Sequence, residues 1–195
     1  MSRVGRMLVV APCLLVPYLV YRGAGEKELA AASALRGLLC RDAGLALLSY
    51  PCPEFILLGF PRPPAPREVY ERLGMREVAG KVAAFIERVV AEERPAHLVL
   101  VGVRGSPTCA AHTTSSGSPE EYPYHRMEGF KDLEKGKRFA LAREIARGFL
   151  PASRPGILFE LVKERVEGTY LDFDKDDVQG SMEVLEAALF RGGKG

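Results

Sequence analysis

The sequence predicts an α/β domain of three layers, Rossmann-like with a mostly parallel sheet, on three observations. Short apolar runs rich in Val and Leu alternate with longer segments whose apolar residues recur at helical spacing. The runs are apolar throughout, as strands covered on both faces must be. Proline, glycine or polar stretches punctuate them. A chain of 195 residues, 47% of them hydrophobic, suits a single domain with a sizeable core.

Met7 to Ala11 is the first apolar run and stops at Pro12-Cys13. Leu29, Ala32, Leu35, Leu38 and Leu39 then mark a helix from Glu26 to Arg41, with Cys40 in its last turn and Gly44 as a stop. "LALLSY", Leu45 to Tyr50, is the second strand and ends at Pro51-Cys52-Pro53-Glu54. The proline-rich "GFPRPPAPREVYERLGM" admits no regular helix before about Pro66. Val82, Phe85, Ile86, Val89 and Val90 line one face of a helix from Val78 to Glu93. "HLVLVGV", His97 to Val103, is the third strand and breaks into a long polar loop, residues 110–130, that fits a lid over the carboxyl edge as easily as a disordered bridge. Lys137 to Phe149 reads as a helix, "GILFELV" as a fourth strand, "GTYLDF" as a fifth and Asp177 to Phe190 as a closing helix.

A net charge of +2 with no block of Lys and Arg indicates no nucleic-acid partner. There is no Asn and one Gln, Gln179, a depletion of thermolabile amides expected of a hyperthermophile protein. Arg3 and Arg6 before an apolar run imitate a secretory signal. Pro12 and Pro17 interrupt that run and no small-x-small site follows, so a buried first strand in a cytoplasmic protein, with no membrane span, is the expectation.

Cys13, Cys52 and Cys109 each follow the end of a predicted strand. In a parallel sheet all three fall at the carboxyl edge, where such folds bind ligands. Thiolates gathered there suit a soft metal site, zinc or iron-sulfur, and three ligands leave one metal position open, as in catalytic rather than structural sites. The alternative is that these cysteines are small buried hydrophobes, the reading that fits Cys40. His112 completes a Cys-x-x-His pair with Cys109 and so supports a four-ligand zinc site without catalysis. A metal-free module would tolerate loss of all three cysteines.

"APCLL" with Tyr21 and Gly23, "CPE" followed by "GFPRPP", and "RGSPTC" stand in the order and near the spacing found in the 2-thiouracil desulfurase-like domain family, which this chain resembles over about its first 110 residues. The family pattern is Ala-Cys-Leu-Leu-Gly with Arg-Tyr-x-Gly, Val-Cys-Pro-Glu leading to Pro-x-Pro-Arg-Pro-Pro, and Arg-Ser-Pro-Ser-Cys. The resemblance implies a [4Fe-4S] cluster held by Cys13, Cys52 and Cys109, with an unligated iron that takes sulfur from a small thiolated (thiocarbonyl) substrate. It also implies that Glu54, Arg62, Arg104 and Ser106 line the site. The chain departs from the pattern at Pro12, at Val16 in place of Gly, at Val20 in place of Arg and at Ala110 in place of Gly.

Within that resemblance Glu54 is the expected catalytic acid or base, a role that needs a raised pKa; a cap of a turn or helix is the alternative. Ser106 is expected to donate its hydroxyl to a sulfur, or else to cap the turn before Pro107. Arg62, between prolines, and Arg104 are the substrate-binding candidates, with Arg62 anchoring an anionic group. Tyr122 and Tyr124 either stack on a heterocyclic base or pack the loop to the body.

Overall fold

The computed structural model describes residues 5–191. Four parallel strands form its sheet: β1 (Arg6–Val10), β2 (Leu45–Ser49), β3 (His97–Val103) and β6 (Thr169–Phe173), in the order β2-β1-β3-β6. β1 pairs on both sides, Leu8 lying opposite Leu47 and Val99, and so stands in the middle of the core. β1 and β3 are almost wholly buried, as their unbroken apolar sequences require.

Helix α2 (Glu26–Arg41) packs on α8 (Val178–Arg191), and α8 on β3 and β6; α5 (Met75–Glu93) packs on α7 (Ile157–Lys163) and on α3 (Pro53–Leu58). α2 and β3 have the bounds their sequences predict, and α5 begins three residues early at Met75, immediately after Gly74. α4 (Arg67–Arg72) begins where the proline-rich stretch ends. α1 (Pro12–Leu15), α3 and the antiparallel pair of β4 (Thr114–Ser116) and β5 (Leu150–Ala152) are short additions that the sequence pattern does not show. α6 (Lys135–Ala146) connects β4 to β5.

One predicted strand is a helix. "GILFELV" forms α7, with Ile157, Leu158, Phe159, Leu161 and Val162 all buried. A seven-residue apolar run carries no periodicity that separates a strand from a buried helix. The deciding contacts are tertiary. The N–H groups of Gly156, Ile157 and Leu158 donate to the carbonyls of Ala110, Pro107 and Thr108, so the start of α7 is bonded to the cysteine loop. A Cβ on Gly156 would lie 2.5 Å from the Thr108 carbonyl carbon, so only glycine permits that approach.

Residues 110–130 are fastened to the body. β4 pairs with β5, Phe130 is fully buried, and the Tyr122 hydroxyl donates to the Pro64 carbonyl at 2.6 Å. Tyr122 stacks on Phe149 with ring centres 6.4 Å apart and meets Tyr124 edge-on at 5.0 Å. The two tyrosines pack the loop.

Candidate active site

The order β2-β1-β3 puts the three strands that precede Cys52, Cys13 and Cys109 side by side. Cys52 caps the start of α3 with Pro53 in its first turn, and Cys13 lies in α1 behind Pro12, so a proline starts each short helix at a strand end. Cys109 is carried by a loop folded back under β3: Val103 N–H donates to the Cys109 carbonyl at 3.0 Å. A Cβ on Gly102 would stand 2.1 Å from that oxygen, so the glycine makes room for the loop. Asp172, in β6, accepts the N–H groups of Ala111, His112 and Thr113 and holds the rest of the loop.

The three thiols line one cavity of about 390 Å³ at the carboxyl edge, together with Glu54, Arg62, Arg104 and Ser106. The seven residues that the resemblance implied for the site all line it, whereas His112, Tyr122 and Tyr124 do not. Cys40 does not: it is an exposed residue of α2, which corrects the reading of it as a buried hydrophobe.

Glu54 and Arg62 form a buried pair. Nε and Nη2 of Arg62 donate to Glu54 Oε2 at 3.1 and 2.8 Å, Tyr70 donates to the same oxygen at 3.3 Å, and Thr108 Oγ1 donates to Oε1 at 2.7 Å. Burial works against the charge, but the Arg62 guanidinium and these hydroxyls outweigh it, and the carboxyl is held below its usual range. The raised pKa expected of a proton donor is not found. Arg62, only 2% exposed, also donates to the carbonyls of Leu19 and Gly59, so its charge is committed inside rather than offered to an anionic substrate group.

Ser106 Oγ accepts the N–H groups of Cys109 and Thr108 at 3.0 and 3.3 Å, shaping the cysteine turn. Arg104 is exposed at the rim, with Asp174 at 3.7 Å. The His112 ring is exposed and bonds to the Tyr170 carbonyl at 2.8 Å, away from a fourth-ligand role.

Burial raises all three thiols. It acts with Cys52, Glu54 and Cys13 to push Cys109 well up, and with Glu54 to push Cys52 up to about 12, Arg62 opposing; at Cys13, Lys175 opposes it. Burial and the neighbouring groups thus favour the neutral thiol forms. Among the described residues no three His, Cys, Asp or Glu side chains gather tightly enough for one metal ion. Adjacent strands stand about 4.8 Å apart, whereas Zn–S bonds of about 2.3 Å draw thiolates to within about 3.8 Å of each other. The three thiols, set on neighbouring strand ends, are not drawn together around a single ion in this structure. Arg62 Nη2 faces Cys52 Sγ at 3.9 Å; Thr108 Oγ1 is 3.4 Å from Cys109 Sγ but gives its proton to Glu54.

Tyr70, Thr108, Glu28 and Lys175 went unnoticed in the sequence. Lys175 follows β6 at the same edge as the cysteines, so the strand-end rule that found them would have found it. Glu28 and Tyr70 are ordinary helix residues, and only folding brings them in.

Fold and cavity together define a parallel α/β protein with a thiol-lined site at its topological edge. A sequence model of the family described as "Putative 2-thiouracil desulfurase" matches residues 5–191, and the chain belongs to that family. The match extends well past the motifs, which stop near residue 110. Among curated proteins and solved structures no match to the chain was found.

Proposed function

We propose that the protein is an iron-sulfur-dependent desulfurase that hydrolyses the C=S bond of a small thiolated compound of the 2-thiouracil type, releasing sulfide and leaving C=O. The observation that carries this reading is the meeting of Cys13, Cys52 and Cys109 in one cavity of a chain belonging to this family. The three cysteines would hold a [4Fe-4S] cluster through three of its irons. Such a cluster supplies, when bound, a Lewis-acidic position for the substrate sulfur.

The chain's own groups divide the remaining work. Glu54, kept ionised by Arg62, lies on the acceptor side and orients and accepts the proton of the attacking water. Ser106 accepts two N–H groups, and its own hydroxyl proton, given to Thr108 Oγ1 at 3.4 Å in this structure, would turn to be donated toward sulfur. Arg104 and Lys175 are the cations at the mouth available to orient an electron-rich heterocycle. Arg62 points a donor toward the Cys52 sulfur, which favours its thiolate form.

Anaerobic reconstitution should give a brown protein with about four irons and four sulfides per chain, releasing sulfide from 2-thiouracil. Added sulfide should alter its electron paramagnetic resonance spectrum, equally so in His112→Ala. A colourless protein with one tightly held zinc, or sulfide release undiminished in Cys52→Ser, overturns the proposal.

A further inference from the structure

A second cavity, of about 610 Å³, adjoins the one that holds the thiols. Phe139, Arg143 and Arg147 of α6 form one side of it and the start of α2 the other. Tyr21, Arg22, Lys27, Glu28 and Ala146 line both cavities and therefore make up the wall between them. In that wall Ala146 is small, Lys27 is an exposed side chain paired with Asp176, and Glu28 is sealed at 2% exposure. The Arg22 side chain, with the Tyr21 ring against it, is what closes the gap.

Arg22 is held at its edge and on its faces. Nη1 donates to the Tyr21 hydroxyl at 2.6 Å and Nη2 to Glu28 Oε1 at 3.0 Å, while the guanidinium lies 5.0 and 5.1 Å from the ring centres of Tyr21 and Phe139. A flat cation suits this place, because it stacks on rings while its edge makes an ion pair. The Phe139 ring in turn rests on the main chain at Gly25, where a Cβ would lie 3.3 Å from it. α6 and α2 thus meet across one guanidinium. We propose that Arg22 is a specificity-determining residue: its side chain closes the thiol cavity toward α6 and so sets the size of the compound that reaches Cys13, Cys52 and Cys109. Where that compound is a thiolated ring the inference rests on the proposed function; where it is any reagent for the thiols it does not.

The test is Arg22→Ala, beside Arg22→Met, which keeps most of the bulk without the charge, and Arg126→Ala, whose pair with Glu144 lies outside both cavities. In metal-free protein carrying Cys40→Ser, thiol modification is timed with methyl methanethiosulfonate and with the bulky pyrene maleimide. Both reagents are uncharged and both react with thiolates, so the ratio of their rates cancels any change in thiol protonation. Arg22→Ala should raise the large-to-small ratio about tenfold, whereas Arg22→Met and Arg126→Ala should stay within about twofold of wild type. In reconstituted protein, 2-thiouracils carrying a benzyl group at each free ring position in turn are compared with 2-thiouracil itself. For at least one of them the relative kcat/KM should rise by a similar factor in Arg22→Ala. An unchanged reagent ratio in Arg22→Ala overturns the inference. An equal rise in Arg22→Met also overturns it, by assigning the effect to the lost ion pair rather than to size. Wild-type protein that releases no sulfide removes the proposed function and leaves the reagent ratio to decide the role of Arg22.

Discussion

Two buried carboxylates on opposite sides of the cavity solve the same problem differently. At the inner wall Glu54 faces one guanidinium, Arg62, and both side chains are nearly sealed from water, at 11% and 3% exposure. At the mouth Glu28 is equally buried, but its Oε1 is shared by Arg22 at 3.0 Å and Lys175 at 3.2 Å, both partly open to solvent, while Oε2 accepts the Gly25 N–H. The inner pair is charge-balanced, and its carboxylate holds Arg62, Tyr70 and Thr108 in place beside the cysteines. Around the mouth Arg22 and Lys175 share Glu28, Lys27 pairs with Asp176 and Arg104 stands near Asp174, so one positive charge is in excess. Rigid placement belongs to the first region and attraction of electron-rich ligands to the second.

The largest effect is expected at the inner wall. Arg62→Ala leaves a buried, unpaired Glu54 carboxylate, and breaking such a pair from one side costs about 3–5 kcal/mol, readable by denaturant unfolding. The double variant Arg62→Leu with Glu54→Gln should recover a large part of that loss while still failing to retain iron. Equal loss in the single and double variants would show that the two side chains do not act as a pair.

Gly102→Ala tests the backbone of the same wall. Its Cβ would meet the Cys109 carbonyl, so the loop must move, at about 1–3 kcal/mol for overpacking. Iron retention should fall together with stability. Retention at the wild-type level would mean that Cys109 is placed by something other than its seat under β3.

At the mouth the effect is smaller and depends on salt. Glu28→Gln should cost about 1 kcal/mol, because both cations are partly solvated, and the loss should shrink in salt on the order of 1 M. Burial pushes the Glu28 carboxyl up, but Lys175, Arg22 and the Gly25 N–H outweigh it, and the folded value is lowered. Its contribution is thus fully present above the unfolded value, roughly pH 4, and is lost as pH falls through the lower folded value. The difference in melting temperature between wild type and Glu28→Gln should narrow over that acid window. A difference that widens on acidification would mean that folding raises this carboxyl instead of lowering it.

The smallest effect is expected outside both regions. Cys40→Ser, at an exposed position of α2, should change stability by no more than about 0.5 kcal/mol and leave iron retention as in wild type. Cys13→Ser, Cys52→Ser and Cys109→Ser should each lose the metal. If Cys40→Ser loses it too, the ligand assignment by strand ends fails.

The two central strands, β1 and β3, follow from the amino-acid pattern alone, because strands covered on both faces must be apolar throughout, whereas the edge strands β2 and β6 are only partly buried and are marked by the turn residues around them. The same pattern places Cys13, Cys52 and Cys109 at one edge, since parallel strands all end on the same side. The ribbon pairing β4 with β5 and the helix at "GILFELV" depend instead on contacts distant in the chain. The first has strands of three residues, too short for a pattern, and the second depends on Gly156 meeting the carbonyls of the cysteine loop. The same holds for the state of the site's charges. Glu54 and Arg62 are recognisable as polar residues near a motif, but that they bind each other depends on the path of the proline-rich chain between them. The hydroxyls of Tyr70 and Thr108 reach Glu54 from α4 and from the far side of β3. A residue type tells which charge it can carry; only the neighbours brought by folding decide whether that charge is spent inside or left for a ligand.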